Sequence, residues 1–144
     1  MIKVSENFSC VEFVPPEIDA GPYPNTWFID PDLVVLCQLF RDTFGSVTIN
    51  NWYWGGQYKY SGFRPPTTSV GGKLSQHRFG RAGDLKFKDK TVQEVYREIL
   101  ASEYYWYTKG LRVLENVEKT PTWLHIDIRD TGSEYLNKIK IVNP

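Results

Sequence analysis

Hydrophobic positions along this chain follow two periods. From residue 33 the spacing is helical, and Leu33, Leu36, Cys37 and Phe40 share one face. Asp30 precedes them as an N-cap with Pro31 at the first helical position, and Gly45 ends the helix near Phe44. Thr91-Val92-Gln93-Glu94 reads as a capping box that opens a second helix to about Ser102. Elsewhere the period is two. Trp123 to Arg129 is the clearest strand: Leu124, Ile126 and Ile128 point one way, and Trp123, His125, Asp127 and Arg129 the other. One face is therefore core, and the other carries polar groups. Val47 to Asn50, Asp84 to Phe87 and Leu111 to Glu115 are further strands, and Ile139 to Ile141 suggests a last edge strand.

The connecting segments are rich in turn formers. Asn7 to Phe13 is a short anchoring segment. Residues 14 to 26 carry Pro15, Pro16, Gly21, Pro22 and Pro24 and read as an irregular loop, and Gly55 to Gly72 is a second, longer one. Helices and short strands interleave. The tight connection between Glu115 and His125 favours antiparallel pairing, so the expected class is α+β, with a small antiparallel sheet flanked by helices. With 144 residues and no repeat, low-complexity tract or linker, residues 1–144 are expected to form one domain.

Composition narrows the function classes. Seventeen basic residues balance seventeen acidic ones, and no basic stripe appears, so nucleic acid is not an expected partner. Apolar runs are too short to span a bilayer, and no membrane association is expected. Met1 to Glu6 lacks an apolar signal region, which leads to an expectation of cytoplasmic synthesis without Sec-type export. Cys10 and Cys37 are the only cysteines and read as reduced thiols, Cys37 as a small core residue. Two cysteines exclude a four-cysteine structural zinc site.

The candidate chemistry lies with the two histidines, His77 and His125. Each sits in a short acid-containing motif: Ser75-Gln76-His77-Arg78-Phe79-Gly80-Arg81-Ala82-Gly83-Asp84 and Trp123-Leu124-His125-Ile126-Asp127. Two imidazoles and one carboxylate make a three-ligand zinc site with an open fourth position, the form of a hydrolytic rather than a structural zinc. His77 and Asp84 are seven residues apart across a turn containing Gly80, which suits a loop bending into a strand. His125 joins from a neighbouring strand. Taken singly, each histidine reads more readily as polar surface or a satisfied core residue; together, in these motifs, the two read as zinc ligands.

These motifs resemble those of the zinc D-alanyl-D-alanine carboxypeptidases and phage L-alanyl-D-glutamate endolysins, which share a hedgehog-like, D,D-peptidase fold. Their pattern is Ser-x-His, Gly-x-Ala-x-Asp and a late Trp-x-His, matched here by Ser75 to His77, Gly80 to Asp84 and Trp123 to His125. Ser61-Gly62-Phe63-Arg64 matches an upstream Ser-Gly-aromatic-Arg, and Asn7 to Phe13 an opening Asn-Phe-Ser-x-x-Glu-Phe, so the resemblance covers nearly the whole chain. It implies Zn2+ held by His77, Asp84 and His125, with the pKa of bound water lowered to about 7 and the scissile carbonyl polarised. It also implies Arg64 holding a substrate carboxylate or the developing oxyanion. The implied substrate is a peptidoglycan stem peptide, cut in carboxypeptidase or endopeptidase fashion by a phage lysis enzyme or virion-associated protein.

The pattern departs at the general base. Many members carry an acid three residues before the last histidine, where this chain has Thr122. Others place it at the end of the preceding strand, and Glu115 fits that role. Asp127 is the rival, with a role orienting a ligand or pairing with an arginine favoured for it. Thr122 keeps a second reading open, a zinc-binding cell-wall or virion module without turnover. Ser75 orients a ligand or stabilises a turn. Asp130-Thr131-Gly132 reads as a turn rather than an aspartic protease site, and Gly71-Gly72-Lys73 lacks P-loop spacing. The aromatics from Trp52 to Phe63 and from Tyr104 to Tyr107 read first as packing, with the former cluster the better candidate for ligand contact.

Overall fold

A computed structural model describes all residues, Met1 to Pro144. Four helices, α1 (Pro16–Asp19), α2 (Pro31–Phe44), α3 (Val92–Ala101) and α4 (Glu103–Thr108), pack with five strands. The strands are β1 (Val47–Thr48), β2 (Ala82–Phe87), β3 (Val113–Glu115), β4 (Leu124–Asp127) and β5 (Lys140–Val142), in the spatial order β1-β2-β4-β3-β5. The class is α+β. Pairings β1·β2, β2·β4 and β3·β4 are antiparallel, and β5 runs parallel to β3, so the sheet is mixed. The antiparallel expectation holds for the hairpin from Glu115 to His125. It misses the last edge strand, whose direction depends on how residues 128 to 139 cross back.

The two long helices have the ends their sequences specify. Asp30 Oδ1 accepts the Asp32 N–H at 3.0 Å, and Gly45, at φ 88°, closes α2 by donating to Arg41 O at 2.9 Å. The α3 capping box is reciprocal: Glu94 N donates to Thr91 Oγ1 at 3.1 Å and Thr91 N to Glu94 Oε2 at 2.8 Å. Leu33, Leu36, Cys37 and Phe40 are buried in one core with Leu85, Leu114, Leu124 and Ile126 from the sheet and Val95 and Ile99 from α3. Each such large side chain contributes roughly 1.5–3 kcal/mol on burial. Together they fix which face of the sheet is dry.

Three helical segments named here escape a sequence reading. The loop expected over residues 14 to 26 contains the single turn α1, and Asn25–Phe28 forms a 3-10 turn. α4 follows α3 with a break at Ser102, and of its aromatic run only Trp106 is buried, with its ring 4.6 Å from that of Phe40. A run of consecutive rings has no 3.6-residue pattern to announce a helix. The strands are also shorter than expected at β1, β3 and β4, while β2 begins two residues earlier, at Ala82. No helix is long and apolar enough to cross a membrane.

Candidate metal centre

Register assembles the site. In the antiparallel ladder Asp84 pairs directly with His125, and Leu85 with Leu124. Side chains alternate across a strand, so Leu85 and Leu124 enter the core while Asp84 and His125 stand together on the other face. β3 pairs with β4 as Val113 to Asp127 and Leu114 to Ile126, and the next step sets Glu115 beside His125. Asp84, His125 and Glu115 therefore form a row across three adjacent strands. His77 comes from outside the sheet, on the 3-10 turn Gln76–Phe79. That turn ends at Gly80, whose φ of 69° and close approach to Phe28 O (2.3 Å from where a Cβ would lie) leave room for glycine alone.

The ligand atoms converge. His77 Nε2 lies 3.3 Å from Asp84 Oδ1 and 3.3 Å from His125 Nδ1, and His125 Nδ1 lies 3.1 Å from Asp84 Oδ1. The other nitrogen of each ring is occupied. His77 Nδ1 is 2.8 Å from Gly62 O, an acceptor only, so Nδ1 donates and Nε2 keeps its lone pair. His125 Nε2 lies 3.0 Å from Asp127 Oδ2, and donation there frees Nδ1 in the same way. Asp127 has no exposed surface and is itself gripped by Arg129 through Nε (2.9 Å to Oδ1) and Nη2. Both histidines are thus anchored from behind, as metal-ligating imidazoles are. Three lone-pair atoms this close repel unless a cation or a proton lies between them. His77, Asp84 and His125 form a buried group able to hold a metal ion.

The charges agree with that geometry. Burial works against an ionised Asp84, but His77 and His125 outweigh it and hold the carboxyl far below the usual carboxylate range. Burial pushes His77 down from 6.5. Burial also opposes charge on His125, yet hydrogen bonds to Asp127 and Asp84 prevail and push it up to about 9. Of the two imidazoles, His125 is the one whose surroundings favour the proton.

Around this group the structure separates the other candidates. Glu115 Oε1 is 3.8 Å from His125 Nδ1, and burial raises its pKa. It lines an open cleft of about 540 Å³ together with the three ligands and Ser75. Asp127 lies behind His125, away from that cleft. Arg64 Nη2 pairs with Asp84 Oδ2 at 2.8 Å and its Nε donates to Tyr60 O at 2.7 Å. The ion pair steers Asp84 to present Oδ1 inward, while Arg64 Nη1 makes no hydrogen bond within the protein. Ser75 precedes the His77 turn, and its hydroxyl caps nothing. Thr122 lies in an adjoining chamber with Trp123. In Asp130-Thr131-Gly132 the Gly132 N–H donates to Asp130 Oδ1 at 2.8 Å, a turn as expected.

The upstream Ser61-Gly62-Phe63-Arg64 motif, Arg78 and Lys86 contribute around the donor group. Ser61 O accepts the Asp84 N–H at 2.8 Å, Gly62 O accepts from His77, and Arg64 pairs with Asp84, while Phe63 packs on Phe28 with ring centres 5.1 Å apart. Arg78 braces the rim of the cleft by donating to Pro65 O, Thr68 O and Gly72 O. Lys86, which burial pushes down to about 8, lines the adjoining chamber. Only the Asp84-to-Lys86 spacing, which places both on one strand face, points to it. Neither a protein-family model, nor a curated protein, nor a solved structure matches this chain.

Proposed function

We propose that this chain is a zinc-dependent metallopeptidase that hydrolyses peptidoglycan stem peptides, as a D,D-carboxypeptidase or an endopeptidase of endolysin type. The observation that carries the reading is the convergence of His77 Nε2, Asp84 Oδ1 and His125 Nδ1 within 4.8 Å of one another, at the wall of an open cleft that also holds Glu115. Two imidazoles and one carboxylate are a donor set suited to zinc. A zinc ion held by them supplies Lewis acidity and a nucleophile at neutral pH. Glu115 takes the proton of the attacking water on its carboxylate and passes it to the leaving amine, a role for which its raised pKa suits it. Arg64, with Nη1 unspent, orients a substrate carboxylate or the developing oxyanion. The motif resemblance supplies the substrate class and the proposed setting, a phage lysis or virion-associated protein.

Purified muropeptides incubated with zinc-loaded protein, with and without chelator, test the reading by mass spectrometry. The expected result is a chelator-sensitive product whose mass names the bond cut. Glu115→Gln should keep about one zinc per chain and lose at least about 100-fold in turnover. Thr122, at the position where many such peptidases carry an acid, favours one other reading, a zinc-binding wall or virion module. Full zinc binding with no product would establish that module instead.

A further inference from the structure

The ligand cleft opens into a second chamber with a different character. Its volume is about 330 Å³, and it shares Arg64, Asp84 and Trp123 with the cleft. That size falls at the lower end of small-ligand pockets, roughly 300–1,000 Å³. Lys59, Arg64 and Lys86 line it against one acid, Asp84. Asp84 is already committed to Arg64 and the two histidines.

Lys86 is the unusual member. It stands two residues beyond Asp84 on the same face of β2. Its Nζ donates to Ile49 O and Ser61 Oγ, both at 2.7 Å, and lies 4.1 Å from the centre of the Tyr58 ring. These neutral partners satisfy its hydrogen bonds but not its charge, and no carboxylate in the protein forms an ion pair with it. Ser61 Oγ, having accepted from Lys86, keeps its own proton for an acceptor in the chamber. A partly buried cation beside an oriented hydroxyl, with no carboxylate in ion-pair contact, is a site for an anion.

We propose that this chamber is a carboxylate subsite in which the Ser61 hydroxyl, backed by the Lys86 ammonium, receives a carboxylate of the ligand while Tyr58 and Trp123 flank its apolar part. The inference deepens the peptidase reading and rests on it for the ligand class. It makes Lys86 the charge that selects acidic over neutral stem-peptide ends.

The test uses zinc-loaded wild-type protein and NMR shift titrations with N-acetyl-D-alanine, its carboxamide, and N-acetyl-D-glutamic acid 1-amide, which carries only a side-chain carboxylate. At least one acid should bind about tenfold or more tighter than the carboxamide, with shifts at Ser61 and Lys86. Which acid does so tells a terminal carboxylate from a side-chain one. Lys86→Met should remove the preference by weakening the acid alone, and Lys86→Arg should restore most of it. Equal binding of acids and carboxamide to the wild type, or shifts away from Ser61 and Lys86, would overturn the subsite without any need for a folded variant. Muropeptide hydrolysis with no acid preference sinks the subsite and spares the peptidase. An acid preference without hydrolysis does the reverse.

Discussion

At the scale of single residues the site is a problem of proton placement. His125 Nδ1 faces Asp84 and Glu115 while Nε2 faces Asp127, and those acids hold its proton up to a pKa of about 9. A metal binding at Nδ1 must displace that proton. Below pH 9 each metal ion should release about one proton at His125, and apparent affinity should rise about tenfold per pH unit up to that value. Calorimetry in buffers of different ionisation enthalpy reads the proton count directly, and a count near zero at pH 7 would place the charge elsewhere. His77, pushed down by burial, adds nothing to the release at neutral pH.

The elements act through register and through one braced loop. The ladder from Ala82–Asp127 to Leu85–Leu124 sets Asp84 against His125, and a one-residue slip of β2 would turn Asp84 into the core and Leu85 into the cleft. The segment from Pro65 to Gly72 is pinned by Arg78 and presents Gly71 at φ 79°, where a Cβ would lie 2.7 Å from Arg64 Nη1. Arg64 is held at Tyr60 O and Asp84, so it cannot step aside freely. Gly71→Ala should therefore displace the guanidinium and lower stability by about 1–2 kcal/mol through the left-handed backbone. Zinc stoichiometry should stay at one while turnover of stem peptide falls; unchanged turnover would show that Arg64 Nη1 does not meet substrate.

For the whole molecule, a metal held by this group would be linked to the fold. The ligands come from β2, β4 and the turn before β2, and a metal that binds only the folded arrangement stabilises by mass action, about 4 kcal/mol at a thousandfold excess over Kd. Chelation should lower Tm, and the loss should depend on pH. In the chelated protein His125 has a folded pKa of about 9 against an ordinary 6.5, so the folded state holds more protons between those values. Its contribution is complete below pH 6.5 and is lost as pH rises through 9. Thermal unfolding of chelated protein should weaken across that window, while zinc-loaded protein should not. Parallel curves for the two forms would contradict the placement of the proton.

How much of this was legible in the chain follows from how local each signal is. Asp30, Pro31 and Gly45 bound α2, and Thr91 with Glu94 opens α3, because caps are contacts between residues two to four apart. The alternation of Leu124, His125, Ile126 and Asp127 separates a core face from a polar one by geometry that any strand obeys. The two histidine motifs and Asp84 stand out as one donor set through the motif resemblance, which rests on short runs of residues. Tertiary structure alone decided the rest. The pairing of Asp84 with His125, the parallel β5, Gly62 O behind His77 and the unpaired Lys86 beside Ser61 all join residues far apart in sequence. Such contacts depend on strand order and register, which are set by the packing of the entire core, and no short stretch of residues encodes that packing.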